Sequence, residues 1–213
     1  MTALPELADI HCHLMPYVDD GAYDEEECLE LLKREAEQGV RTICLTPHLR
    51  ADMFESSDET VLEHFALVQD LAREAGLPLK LYHSREYHFD RIFRSRLERG
   101  DLRPLGEGKS LLVEFGGRHT EEDLLTAAAM VRAAGWQPVF AHVERYTPLR
   151  RDGAFAAELR EAGVLLQINA GSVLGREGLG QRQLVKKLLQ KGLVDVIASD
   201  AHDTQIRVPE LAL

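Results

Sequence analysis

The sequence predicts an α/β fold, a barrel of parallel strands wrapped by helices, and three observations lead there. Seven short apolar runs alternate with six longer amphipathic ones, the rhythm of repeated strand–helix units. No Gly-x-Gly-x-x-Gly follows the first run, so an open dinucleotide-binding sheet lacks its fingerprint. Imidazoles and carboxylates gather where the runs end, the face on which barrels carry their chemistry.

Taken in order, Leu7–His13 is the first predicted strand, and Asp24–Gln38 the first helix, with Leu29, Leu32 and Ala36 on one face and Gly39 as a stop. Strand Arg41–Leu45 precedes helix Asp58–Ala75, and strand Leu79–Glu86 precedes helix Phe89–Arg99. Strand Leu111–Phe115 leads to Thr120–Ala134, which opens on a capping-box pattern with Asp123 in place of the usual Glu. Strand Pro138–Val143, helix Arg150–Ala162, strand Val164–Asn169, helix Leu179–Lys191 and strand Val194–Ser199 complete the series. No Ser/Gly tract or composition break interrupts it, so residues 1–213 are expected to form a single domain.

Composition narrows the function. The chain has 213 residues, 45% apolar and 29% charged, which excludes a disordered tail or a disulfide scaffold. No run approaches the roughly 20 apolar residues that span a bilayer, so no stable membrane insertion is expected. The start, MTALPELADIHC, has no basic stretch before an apolar segment, and three cysteines fit reduced thiols, so the protein is expected to be cytoplasmic. Acids outnumber bases by 36 to 25, which argues against a nucleic-acid face.

Strand one ends Asp9-Ile10-His11-Cys12-His13, and because alternate residues share a face, His11 and His13 point together while Cys12 points away. His48 follows strand two, Glu86 ends strand three, Glu114 lies in strand four, His142 in strand five, and Asp200 and His202 follow strand seven. Asp19-Asp20-Gly21 lies in the first strand–helix loop, and the sixth strand alone ends in a neutral residue, Asn169. So many ionisable groups at one barrel mouth would be costly without cations. Imidazole with carboxylate and no thiolate suits Mn²⁺, Fe²⁺ or Zn²⁺, and the donors are too many for one ion. With three divalent ions, the four carboxylates Asp20, Glu86, Glu114 and Asp200 would leave a site of about +2 that welcomes phosphate.

These residues resemble the PHP superfamily, the polymerase and histidinol phosphatase domains, whose fold is a distorted seven-stranded (βα)7 TIM-like barrel. DIHCHLMPYVDDGA, RTICLTPH, Glu86, LLVEF, AHVERY and ASDAH match its metal motifs in order, from about Leu7 to Arg207. Within it the chain is most similar to bacterial manganese-dependent protein-tyrosine phosphatases of capsule and exopolysaccharide loci. The resemblance implies two or three Mn²⁺ ions: His11, His13, Glu86 and Asp200 at the first, Glu86, Glu114 and His142 at the second, and Asp20, His48 and His202 at the third. Asp20 is preferred to Asp19 because it directly precedes Gly21. It also implies that Arg145 and Arg207 bind phosphate, their planar forks meeting two oxygens. The implied partners are a phosphotyrosyl protein and a bacterial tyrosine kinase, and the implied reaction is attack on phosphorus by a metal-activated water or hydroxide.

Two thiols have an arginine six residues on, Cys28 with Arg34 and Cys44 with Arg50, the spacing of thiol-based tyrosine phosphatases. Cys28 falls inside a predicted helix and Cys44 in mid-strand, so both read as core thiols. The chain stops eleven residues after His202, short of the closing helix that family members carry. The flank of strand seven is therefore expected to be covered by the apolar tail Val208–Leu213 or by a second copy in a homo-oligomer. Two rival functions use the same metals: a small-molecule phosphoesterase of the histidinol-phosphate type, and a catalytically silent metal-bound regulatory domain.

Overall fold

A computed structural model describes residues 6–150 and 153–212. Among these the strands are β1 (Leu7–Cys12), β2 (Val40–Leu45), β3 (His48–Leu49), β4 (Lys80–His83), β5 (Glu86–His88), β6 (Ser110–Glu114), β7 (Gln137–Phe140), β8 (Leu165–Asn169) and β9 (Val196–Ala198). The helices are α1 (Glu25–Glu37), α2 (Asp58–Glu74), α3 (Arg91–Arg99), α4 (Glu121–Ala133), α5 (Phe155–Glu161), α6 (Ala170–Leu174) and α7 (Leu179–Gln190).

All strand pairs are parallel, in the orders β1-β2-β4 and β3-β5-β6-β7-β8-β9. The β2–β4 pairing runs on towards the β3–β5 pairing through Ser84 N–H to Leu45 O at 2.8 Å and Glu86 N–H to Pro47 O at 3.2 Å, so the same two chain segments pair on both sides of the interruption. At the other end, Asp200 N–H bonds His11 O and His13 N–H bonds Ala201 O, so the sheet curls until β9 meets β1.

The helices follow from local chemistry. Asp24 caps α1 by accepting from Glu27 N–H, and Thr120 and Asp123 form the expected reciprocal capping box on α4. One apolar cluster packs α3, α4, α5 and α7 onto β5 to β8, and a second packs α1 and α2 onto β1 and β2. Both lie on the outer side of the sheet, leaving the strand ends to polar side chains.

Several boundaries differ from the sequence expectation. The predicted strand Leu79–Glu86 is two strands, interrupted at Ser84 and Arg85, whose side chains reach away: Ser84 Oγ donates to Arg103 O and Arg85 donates to Ser56 O and Ser57 O. A short β3 adds to the edge after Pro47, a residue with no N–H for a ladder. Val143–Arg145 is a 3-10 turn where a strand end was expected, and α6 was not anticipated. Helix Arg150–Ala162 begins at Phe155; Arg151 and Asp152 lie outside the described residues. The tail, described to Ala212, lies along α1: Gln38 donates to Pro209 O and accepts from Leu211 N–H, and Leu211 packs on the second apolar cluster. Leu213 lies outside the described residues.

Candidate metal centre

All nine residues singled out as metal donors converge at the ends of the strands. Glu86 is central and fully buried. His142 Nε2 lies 2.8 Å and His11 Nε2 3.3 Å from its Oε1, while His48 Nδ1 lies 3.0 Å and His13 Nε2 3.2 Å from its Oε2. Asp200 Oδ1 sits 3.3 Å from His11 Nε2 and 3.6 Å from His13 Nε2. Glu114 Oε1 is 3.5 Å from His48 Nδ1. Half-exposed Asp20 forms the open side, its Oδ1 3.5 Å from His48 Nε2 and 3.7 Å from His202 Nε2.

Four overlapping donor groups emerge, each with its ligand atoms within 4.8 Å of one another: His13, Asp20, His48 and His202; His11, Glu86 and His142; His11, His13 and Asp200; and His48, Glu86 and Glu114. His11, His13 and His48 thus each join two groups, where the family pattern assigns each to one.

The donor set fits divalent cations. Five buried atoms of these donor residues lack a hydrogen-bond partner: His48 Nδ1, Glu86 Oε2, His142 Nδ1, Asp200 Oδ1 and His202 Nε2. An unsatisfied buried polar atom is costly. Burial disfavours charge on His11, yet the carboxylates of Glu86 and Asp200 outweigh it and raise the imidazole to about 9. The same contest, with Glu86 and Glu114 prevailing over burial, lifts His48 to about 10. Burial and the His13 ring hold His202 well below the usual imidazole range. Burial opposes the charge on Glu86 and Asp200 too, but surrounding imidazoles, with Arg207 and Arg145 at Asp200, keep both carboxyls far below theirs. Protons on imidazoles thus stand where cations would balance the carboxylates.

Two ligand-type residues also occupy left-handed backbone, His142 at φ 33° and Asp200 at φ 52°. Non-glycine residues are rare there and cluster at functional sites.

Arg145 and Arg207 lie at one edge. Arg145 NH1 is 3.0 Å and Arg207 NH2 2.8 Å from Asp200 Oδ2, and each side chain is about one-third exposed. Asp200 therefore divides its oxygens, Oδ1 to the imidazoles and Oδ2 to the arginines.

Sequence reasoning missed the residues that hold the donors. Asp19 Oδ2 is 2.7 Å from His13 Nδ1 and accepts from His48 N–H at 2.8 Å. Gln167 Oε1 is 3.0 Å from His11 Nδ1 and accepts from His142 N–H. His88 is buried with Nδ1 3.1 Å from Glu114 Oε1. Asp19 beside Asp20, and Gln167 two residues before Asn169 on one face of a strand, were the available signals. All three cysteines are buried, and burial pushes the Cys28 and Cys44 thiols up to about 12.

With this geometry in hand, comparison with known proteins is specific. Residues 7–213 match a family described as capsular polysaccharide synthesis, CpsB/CapC. The tyrosine-protein phosphatase CpsB of Streptococcus pneumoniae is 33% identical over 208 residues, 95% of this chain and 86% of that protein. The tyrosine-protein phosphatase YwqE of Bacillus subtilis is 29% identical, over 94% of this chain and 79% of that one. A crystal structure from work on YwqE and CpsB, described as unique metal-dependent tyrosine phosphatases, superposes with a TM-score of 0.87 at 29% identity, covering 95% and 82% of the two chains. Histidinol phosphate phosphatase from Lactococcus lactis shares the fold, with a TM-score of 0.58 at 19% identity over 95% and 88%.

Proposed function

The chain belongs to the CpsB/CapC family of capsular polysaccharide synthesis, and from that premise we propose that it is a metal-dependent protein-tyrosine phosphatase that regulates capsule or exopolysaccharide synthesis. The observation that carries this reading is the convergence of nine nitrogen and oxygen donors, several with orphaned atoms, beside two arginines. His11, His13, Asp20, His48, Glu86, Glu114, His142, Asp200 and His202 would hold two or three ions, for which Mn²⁺ suits the thiolate-free donor set. When bound, such ions supply a nucleophilic water of lowered pKa and neutralise charge on the phosphoryl group.

The chain's own residues do the rest. Arg145 and Arg207 approach from one side and offer paired N–H donors to phosphoryl oxygens. Asp200 Oδ2 holds both guanidiniums until substrate arrives. A phenol of parent pKa near 10 leaves without a strong acid, so no dedicated proton donor is required. The buried thiols take no part.

Three finer points belong to the same reading. The two sheets act as one distorted seven-stranded barrel and one domain, with β2/β3 and β4/β5 each an interrupted strand. Reduced thiols support a cytoplasmic setting, and no described helix is long and apolar enough to cross a membrane. A bacterial tyrosine kinase is the natural source of the substrate.

The test is phosphate release from a phosphotyrosyl peptide and from histidinol phosphate, with Mn²⁺, after chelation, and after Mn²⁺ is restored. Rapid peptide turnover that chelation abolishes and Mn²⁺ restores is expected. Preference for histidinol phosphate, or no turnover by a protein holding two metals, would overturn the tyrosine assignment.

A further inference from the structure

Resting on that reading, we propose that Glu177, aligned by Asn169, is a positioning residue that sets Arg145 for phosphate binding. Asn169 ends β8 beside the donors with a neutral amide, and the phosphatase reading leaves it no role.

Glu177 grips Arg145 side-on. Arg145 Nε donates to Oε2 at 2.9 Å and NH2 donates to Oε1 at 2.9 Å. This fork fixes the plane of the guanidinium and leaves the NH1–NH2 edge towards Asp200, where NH1 already makes its contact at 3.0 Å. A bidentate carboxylate determines orientation as well as energy. With the Asp200 contact as its only anchor, the guanidinium would turn about that bond, and misplaced groups lose most of their value to a reaction.

Glu177 is itself placed from both directions. It lies in the turn between α6 and α7, bracketed by Gly175 at φ +86° and Gly178 at φ +109°, left-handed positions that let so short a turn present its side chain inward. From below, Asn169 Nδ2 donates to Glu177 Oε1 at 3.1 Å and to Asp200 Oδ2 at 2.7 Å. Gln167 Nε2 donates to Asn169 Oδ1 at 2.9 Å, which settles how the amide faces. Gln167 also contacts His11 Nδ1, so one polar line runs from a metal donor through the floor of β8 to the arginine.

Fold stability does not require this arrangement. Glu177 is about one-quarter exposed and Arg145 about one-third, and ion pairs open to solvent contribute little to folding. What the fork supplies is geometry.

The experiment measures orthophosphate affinity by calorimetry on Mn²⁺-loaded protein, with metal content by mass spectrometry, for wild type, Glu177→Ala, Glu177→Gln, Arg145→Ala and the Arg145→Ala/Glu177→Ala double variant. Glu177→Ala should weaken orthophosphate on the order of tenfold and raise KM for the phosphotyrosyl peptide alike, at unchanged metal content. Glu177→Gln, which keeps one acceptor, should fall between. In the Arg145→Ala background the Glu177 substitution should add nothing. Affinity changed by less than about twofold, tighter binding (Glu177 then competing with phosphate), or equal losses with and without Arg145 would overturn the inference. A wild type that binds orthophosphate but turns over no phosphotyrosyl peptide sinks the phosphatase reading, while the affinity comparison still judges Glu177.

Discussion

His13 uses both ring nitrogens, Nδ1 against Asp19 and Nε2 towards Glu86 and Asp200. The carboxylate fixes the tautomer that turns a lone pair inward, and such partners typically govern metal affinity by 10–100-fold. Asp19→Ala should therefore weaken Mn²⁺ binding by about that factor while leaving every donor in place, measurable by equilibrium dialysis. The donors themselves were legible in the sequence because they sit at strand ends, where a parity rule and a barrel rule say which way they face. Asp19, Gln167 and Glu177 were not, since their roles depend on how a loop folds back or how separate strands align. Asp20, preferred to Asp19 for its place before Gly21, gave no hint that its neighbour would buttress His13.

The β1–α1 loop shows how an element is forced into shape. Ala22 N–H bonds His13 O, so the chain doubles back on the strand it has just left. A Cβ on Gly21 would lie 1.9 Å from His13 O, and only glycine fits. Gly21→Ala should displace Asp19 and Asp20 together, lowering the melting temperature and weakening Mn²⁺ at least about tenfold, more than an overpacked surface loop would cost. Scanning calorimetry of the purified variant checks the first and calorimetric titration with Mn²⁺ the second. Alternation and caps made the elements readable, and the α1, α2 and α4 spans fall within a residue or two of expectation. The split of Leu79–Glu86 was hidden because Arg85 looks like any strand residue. Its guanidinium reaches across to the carbonyls of Ser56 and Ser57 and to Asp58 at the start of α2, a partnership set by distant sequence.

Across the molecule, donors come from β1, β3, β5, β6, β7 and β9 or the loops that follow them, so ions bound there would tie together segments separated by nearly the whole chain. Metal that binds only the folded state should stabilise it by about 2.7 kcal/mol at a hundredfold excess over Kd. The melting temperature of the chelated protein should rise accordingly on adding Mn²⁺, with Mg²⁺, a poorer match for imidazole, doing less. The chain as a whole carries a formal charge of −11, so attraction for phosphate is confined to the mouth of this centre.

The three buried thiols carry one last consequence. Phosphatases that attack through a low-pKa cysteine are silenced when peroxide converts the thiolate to a sulfenic acid. Here every nucleophilic sulfur is packed in the core, and those of Cys28 and Cys44 are held protonated at physiological pH, away from the reacting centre. An oxidative burst that switches off thiol enzymes finds no such target in this chain, and dephosphorylation here would outlast the stress.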